Sequence, residues 1–347
     1  MMTQWRDFLD AHGARFDDLG QAHFPEHPTG EACRLFALTQ FDVLLARGED
    51  AADFLQGQLT NDVRELSAEH TQLTALCTQK GRVLACGRLI ALDEIRALLL
   101  PAERIETTLA HLRRYVLRSR VRLEAAGDQL VVLGLAGTEA PALLERLELA
   151  VPAHANGLAQ RDGVAVIALP DATPRYLLLA ELERARGLWE ALAAHATPSD
   201  GAIWRRLDIR AGLPSVHAGT AEAFIPQMLN LQLIDGVSFN KGCYTGQEVV
   251  ARMHHLGKLK RRMYRATFTL EPAEAPAPQP GDVLFAAASS SGQASGRVVD
   301  AAPHGAGRYE LLVVLEIAIA EHGEARLGEH GPVLKVQPLP YALEPAA

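Results

Sequence analysis

The segment Lys241-Gly242-Cys243-Tyr244-Thr245-Gly246-Gln247-Glu248 concentrates the groups best suited to chemistry. A thiolate, not a thiol, is the nucleophile and the metal ligand, and a nearby cation or helix N-terminus favours it. Lys241 lies close to Cys243, and a helix over Gln247 to His254 is expected to begin just beyond, with Thr245 or Gly246 leading in. Gly242 and Gly246 permit tight turns and positive φ. Glu248 falls in the first turn of that helix, where a carboxylate suits the dipole. On local sequence alone, a reactive thiol and a buried structural cysteine are equally good accounts of Cys243, since burial is the commoner fate of a free cysteine.

Other candidates carry less. Cys33, Cys77 and Cys86 complete the cysteines, and no CxxC pair occurs, so neither a zinc ribbon nor a thioredoxin motif is expected. So few cysteines in 347 residues do not form a disulfide framework, and a reducing cytoplasm is the natural setting. Cys77 and Cys86 sit on expected neighbouring strands and read as inert core thiols. His254 and His255 are adjacent, and adjacent helical residues point about 100° apart, so a surface or hinge role is expected rather than a metal site. Lys258, Lys260, Arg261, Arg262 and Arg265 form a basic run, ordinarily a solvated face, with the charge to attract an acidic partner.

The elements that position these residues can be read from periodicity. Residues 1–30 are polar and suggest a short helix followed by an extended arm. Leu35 to Leu45 reads as strands broken near Gln40. Asp50 to Leu59 has helical spacing, ending in the turn Thr60-Asn61-Asp62. Strands are expected at Thr74 to Cys77 and Val83 to Ile90, joined at Lys80-Gly81, and an amphipathic helix from Glu103 to Tyr115. Leu130 to Leu135, Val164 to Leu169 and Tyr176 to Ala180 read as strands, with helices at Pro141 to Leu149 and Leu182 to His195. A Pro-rich stretch, Glu271 to Pro280, precedes short strands with Gly-rich turns: Val283 to Phe285, Gly296 to Val299, Tyr309 to Leu315 and Val333 to Val336.

Bulk properties bound the function. The length exceeds a single core, so two or three domains are expected. The net charge of −8 argues against a protein that coats nucleic acid. The N-terminus shows no basic region followed by an apolar run, so no signal peptide is read there. No run approaches the ~18 apolar residues of a membrane span.

The signature resembles that of the YgfZ-type folate-binding proteins, a branch of the glycine-cleavage aminomethyltransferase (T-protein) superfamily. Further motifs fit: Phe54-Leu55-Gln56-Gly57-Gln58-Leu59-Thr60-Asn61-Asp62, Gln79-Lys80-Gly81-Arg82, Phe224-Ile225-Pro226-Gln227-Met228-Leu229-Asn230, Val249 to Gly257 with Arg252 in it, and Pro338-Leu339-Pro340-Tyr341. So does Trp204-Arg205-Arg206-Leu207-Asp208-Ile209-Arg210-Ala211-Gly212-Leu213-Pro214. The resemblance covers roughly residues 35–345. It implies an α+β fold: a three-domain cloverleaf of the aminomethyltransferase type with a central tetrahydrofolate cavity and a small C-terminal β-barrel. The implied domains are a discontinuous folate-binding domain (30–125 plus 200–262), a ferredoxin-like α+β domain (126–199) and the barrel (263–345). Trp204 would stack on the folate, although its residue type alone suits a plain core tryptophan. Phe41 takes the place of a second family aromatic, and the basic run could attract the folate's glutamate tail.

What the resemblance implies about activity is a folate-dependent accessory protein that maintains or repairs iron–sulfur enzymes, with downstream effects on tRNA methylthiolation. Cys243 would be the nucleophile or a transient ligand, with Lys241 beside it. Partners would be folate and iron–sulfur enzymes or their assembly proteins, without tight direct binding of tRNA. The aminomethyltransferases keep an acidic catalytic residue where Ala85 stands here, and a methyl group cannot act as a base. That weighs against the alternative, a one-carbon transferase. A third alternative is a non-catalytic folate sensor or scaffold.

Overall fold

A computed structural model of the chain describes residues 3–25, 33–270, 276–287, 294–305 and 307–343. Parts of the expected N-terminal arm (26–30), of the Pro-rich stretch (271–275) and the last two residues of the expected barrel (344–345) lie outside them. The chain is a mixed α/β protein that divides into two compact units. The first comprises Met1–Phe54, Arg64–Gln72 and Arg88–Trp204; the second comprises Leu55–Val63, Leu73–Gly87 and Arg205–Ala347.

In the first unit a six-stranded sheet runs in the order Leu158–Arg161, Val164–Ala168, Arg175–Ala180, Val131–Ala136, Arg34–Ala37, Thr197–Ser199. All neighbours are antiparallel except the last pair. The central strands are rich in Val, Leu, Ile and Ala because both faces are buried. Helices Thr3–Ala11 and Leu182–Ala193 contribute Trp5, Leu9, Leu188 and Trp189 to the core on this sheet. The expected break near Gln40 is a sheet switch. Arg34–Ala37 joins this sheet, whereas Phe41–Arg47 pairs with Ile95–Pro101 and Arg122–Ala125.

The helix Gly201–Arg210, which periodicity did not predict, begins in this unit and carries Trp204. Trp204 is 1% exposed. Its ring meets the edge of Phe36 at 5.2 Å, and the Arg175 guanidinium sits 4.9 Å from its centroid. Gly134 supplies the floor: a Cβ there would lie 2.5 Å from Trp204 Cζ3.

The second unit contains a six-stranded antiparallel sheet in the order Arg326–Leu327, Val283–Phe285, Gly296–Pro303, Arg308–Glu316, Arg261–Thr269, Lys335–Gln337. This is the expected β-rich C-terminal region. One face buries Leu311, Val313, Leu315, Val298 and Phe268. The basic run is corrected here. Lys258 and Lys260 are exposed, but Arg262 is 5% exposed because the run enters a strand in which Arg262, Met263 and Tyr264 are all buried.

Several motifs meet in this unit. Asn230, fully buried with φ 57°, donates from Nδ2 to Met263 O at 2.9 Å. Gln227 donates from Nε2 to Val250 O at 2.7 Å. The Tyr341 hydroxyl of the C-terminal motif donates to Gly212 O at 3.0 Å, and burial pushes that phenol up to about 12. Arg210 grips Glu310 through Nε at 3.0 Å and Nη2 at 2.6 Å.

The contact between Gly134 and Trp204 predicts that Gly134→Ala will lower the unfolding free energy by about 1–3 kcal/mol, because the added methyl must displace an indole with no room to move. Urea denaturation checks this, with the neighbouring Val132→Ala as a large-to-small control of ordinary cost.

Candidate functional site

The site is built where Leu55–Val63 meets residues 235–250, both in the second unit. Helix Ala51–Gln56 ends just before Gly57, leaving carbonyls unpaired at its C-terminus. Lys241 answers the one at Gln56 and two more in the segment that follows the helix. Its Nζ donates to Gln56 O at 2.8 Å, Leu59 O at 2.6 Å and Asn61 O at 2.8 Å. An ammonium has three N–H donors, and three carbonyls receive them. Lys241 is 6% exposed, and its ammonium also lies 5.0 Å from the Tyr244 ring centroid.

The neighbouring polar residues extend this seam. Thr60 Oγ1 donates to Gly236 O at 2.7 Å, and Ser238 N donates to Thr60 O at 3.0 Å. Asn61 Nδ2 donates to Leu73 O at 2.9 Å and Asp235 O at 2.6 Å. On the far side of the thiol, Thr245 N donates to Gly57 O at 3.2 Å. The expectation of a helix end or turn at Thr60-Asn61-Asp62 did not include these roles. The signal was there in three consecutive polar residues, which the fold buries to 0%, 9% and 7% exposure.

Gly246 is the N-cap of helix Gln247–Leu256, with φ 87°. A Cβ on it would strike Thr78 O and come within 3.1 Å of Gly81 Cα. The Lys80-Gly81 turn is therefore the surface against which the signature packs. Gly242 differs from expectation. Its φ is not positive, and a Cβ there would meet nothing within 4 Å, so its freedom is not used for strain. Glu248 lies in the first helical turn as expected, exposed, with Gln247 half-buried before it and Arg252 exposed one turn on.

Cys243 is exposed, flanked by buried Lys241 and Tyr244. Cys33, Cys77 and Cys86 are buried. Burial, with the Glu139 charge adding to it, pushes the Cys33 thiol up to about 11. Burial and the adjacent Cys86 push Cys77 up to about 12. Burial, then proximity to Cys77, raises the Tyr244 phenol as well. The expectation that Lys241 charges the thiol's surroundings meets a different geometry, because its three N–H bonds are directed to main-chain oxygens. Lys241 shapes the loop on which the thiol is displayed.

His254 stacks on Phe239 at 3.8 Å with 13° between the rings, and His255 meets the same ring edge-on at 6.2 Å. Among the described residues, no group of three or more His, Cys, Asp or Glu is placed to hold a metal. Phe41 and Trp204 belong to the first unit. Phe41 opens the strand Phe41–Arg47 and is half-buried. Trp204 is covered by Phe36 and Arg175.

Three outcomes follow from this geometry. Lys241→Met leaves three buried carbonyls without a donor and should lower the unfolding free energy by about 2–5 kcal/mol. Lys241→Arg should not restore it, since a planar fork cannot match a tetrahedral ammonium. Denaturant titration of the three proteins reads both. In timed alkylation of folded wild-type protein, mapped by mass spectrometry, Cys243 should be labelled well before Cys33, Cys77 or Cys86.

Residues 11–160 match the family model of the GCVT N-terminal domain. The tRNA-modifying protein YgfZ of Klebsiella pneumoniae is 32% identical over 93% of this chain and 98% of its own length. The protein of the same name from Yersinia pestis is 32% identical over 92% of this chain and 96% of its own. The crystal structure of the glycine cleavage system aminomethyltransferase T from Bartonella henselae superposes with a TM-score of 0.72 at 17% identity, covering 96% of each chain. That likeness establishes the fold. The chain belongs to the YgfZ family of aminomethyltransferase-like proteins.

Proposed function

We propose that this protein is a folate-binding accessory factor for the assembly or repair of iron–sulfur enzymes, and that it affects tRNA modification through those enzymes. The observation that carries the reading is the single exposed thiol, Cys243, displayed between two buried anchors of the family's signature loop. A cysteine kept only for packing would be covered, as Cys77 is. The names of the relatives supply the tRNA connection. The net charge of −8 favours an indirect route to tRNA over direct phosphate binding.

The aminomethyltransferase-like fold supports tetrahydrofolate as the cofactor. Phe41 fits the need for an aromatic face, whereas Trp204 as placed does not, and one of its covering side chains must withdraw before it can stack on a ring. The three-domain partition, with boundaries near 126–199 and 263–345, goes with this reading. Aminomethyl transfer is disfavoured by Ala85, a 1% exposed methyl in the strand Val83–Leu92, where no acid or base is offered.

The test is complementation of a bacterial strain that lacks its own homologue. The wild-type gene should restore the activity of an iron–sulfur enzyme and the level of methylthiolated tRNA. Cys243→Ser should restore neither while accumulating as folded protein. Full rescue by Cys243→Ser would overturn the role given to the thiol. Calorimetric titration with tetrahydrofolate should show one saturable site, weakened severalfold by Phe41→Ala.

A further inference from the structure

Three arginines of the second unit surround a cavity of about 230 Å³. Arg82 follows the Lys80-Gly81 turn, Arg261 begins a strand of the C-terminal sheet, and Arg297 lies on the strand Gly296–Pro303 of the same sheet. The floor is apolar, made of Phe224, Met228 and Val314, of which Phe224 is 3% and Val314 2% exposed. Gly296 lets the wall form, since a Cβ on it would collide with the Val314 carbonyl.

Two of the guanidinium groups are held in place. Arg82 donates from Nη1 to Ala223 O at 2.9 Å. Arg261 donates from Nη2 to Ala294 O at 2.8 Å and to Glu316 Oε1 at 3.1 Å. Glu316 is the one carboxylate among these contacts, and among the described residues Arg297 has no ion-pair partner. Three cationic groups with one counter-charge therefore converge on a concave, partly dry surface. This occurs in a protein whose net charge is −8. Guanidinium forks suit the oxygens of a phosphate or carboxylate, and those of Arg82 and Arg261 are positioned before any ligand arrives.

We propose that this cavity is a binding site for a compact dianion carrying an apolar body, the chemistry of a small phosphate monoester. The dianion balances the uncompensated guanidinium charge, and the body covers Phe224 and Met228. Neither Cys243, Phe41 nor Trp204 lines the cavity, so the proposal does not depend on the roles given to them above.

Isothermal calorimetry of the full chain with phenyl phosphate tests this, using phenol and inorganic phosphate as the two halves of the probe. Phenyl phosphate should bind at one saturable site, more weakly as salt is added, with inorganic phosphate weaker and phenol undetectable. Arg297→Gln and Arg82→Gln should each weaken phenyl phosphate about tenfold or more. Among the described residues Arg297 has no ion-pair partner to lose, so its variant should keep the wild-type thermal melt and the wild-type affinity for tetrahydrofolate. The proposal is overturned if phenyl phosphate shows no saturable binding at millimolar concentration, or if both variants bind it like wild type. Equal binding of phenol and phenyl phosphate would equally overturn it.

Discussion

A buried ammonium held by three main-chain carbonyls is the constraint on which the signature loop depends. Removing a lysine from water is costly, and only full use of its three donors offsets that cost. Lys241 achieves this with Gln56, Leu59 and Asn61, the first of which is the last residue of a helix whose dipole also favours a cation. Because an ammonium is nearly spherical in its demands but exact in number, it fixes both segments at once: the carbonyls must converge, and the loop bearing Lys241 must approach them. Thr60, Asn61 and Thr245 then add hydrogen bonds on either side. The two residues between Lys241 and Tyr244, Gly242 and Cys243, are left as the exposed crest.

This arrangement separates the four thiols without recourse to strain. Burial in strand and helix cores holds Cys33 and Cys77 protonated, and it is the anchoring of Cys243's neighbours that keeps the remaining thiol in reach of solvent. The glycine that matters most is Gly246, not Gly242. It allows the helix N-terminus to lie against the Lys80-Gly81 turn, where any side chain would strike Thr78 O. A reactive group on a loop is only as well placed as the elements that support it, and here the support is a helix start on one side and a buried cation on the other.

In the first unit, Trp204 shows how a residue type underdetermines its use. The indole is enclosed by Phe36, Arg175 and the bare backbone of Gly134. An aromatic ring of this area stabilises whatever it is buried against, ligand or core, and sequence does not distinguish the two.

Sequence alone determined the class of fold and most of its elements. The strands at Val131–Ala136, Val164–Ala168 and Arg175–Ala180, the helix Leu182–Ala193 and the helix after Gly246 follow from apolar runs, helical spacing and a glycine boundary, all of which are local. The identity of the signature was also legible, because Lys, Gly, Cys, Tyr and Gln at fixed spacing rarely coincide. Tertiary structure decided what no local pattern carries. The chain's switch of sheets between Arg34–Ala37 and Phe41–Arg47 depends on partners about a hundred residues away in one case and sixty in the other. The burial of Arg262 depends on which face of its strand meets the core. Lys241 was chosen from sequence as a charge near a thiol, and the fold uses it as a cation for carbonyls 180 to 185 positions earlier in the chain. Side-chain type fixes what a residue is able to do; only the approach of distant backbone decides which of those capacities is used.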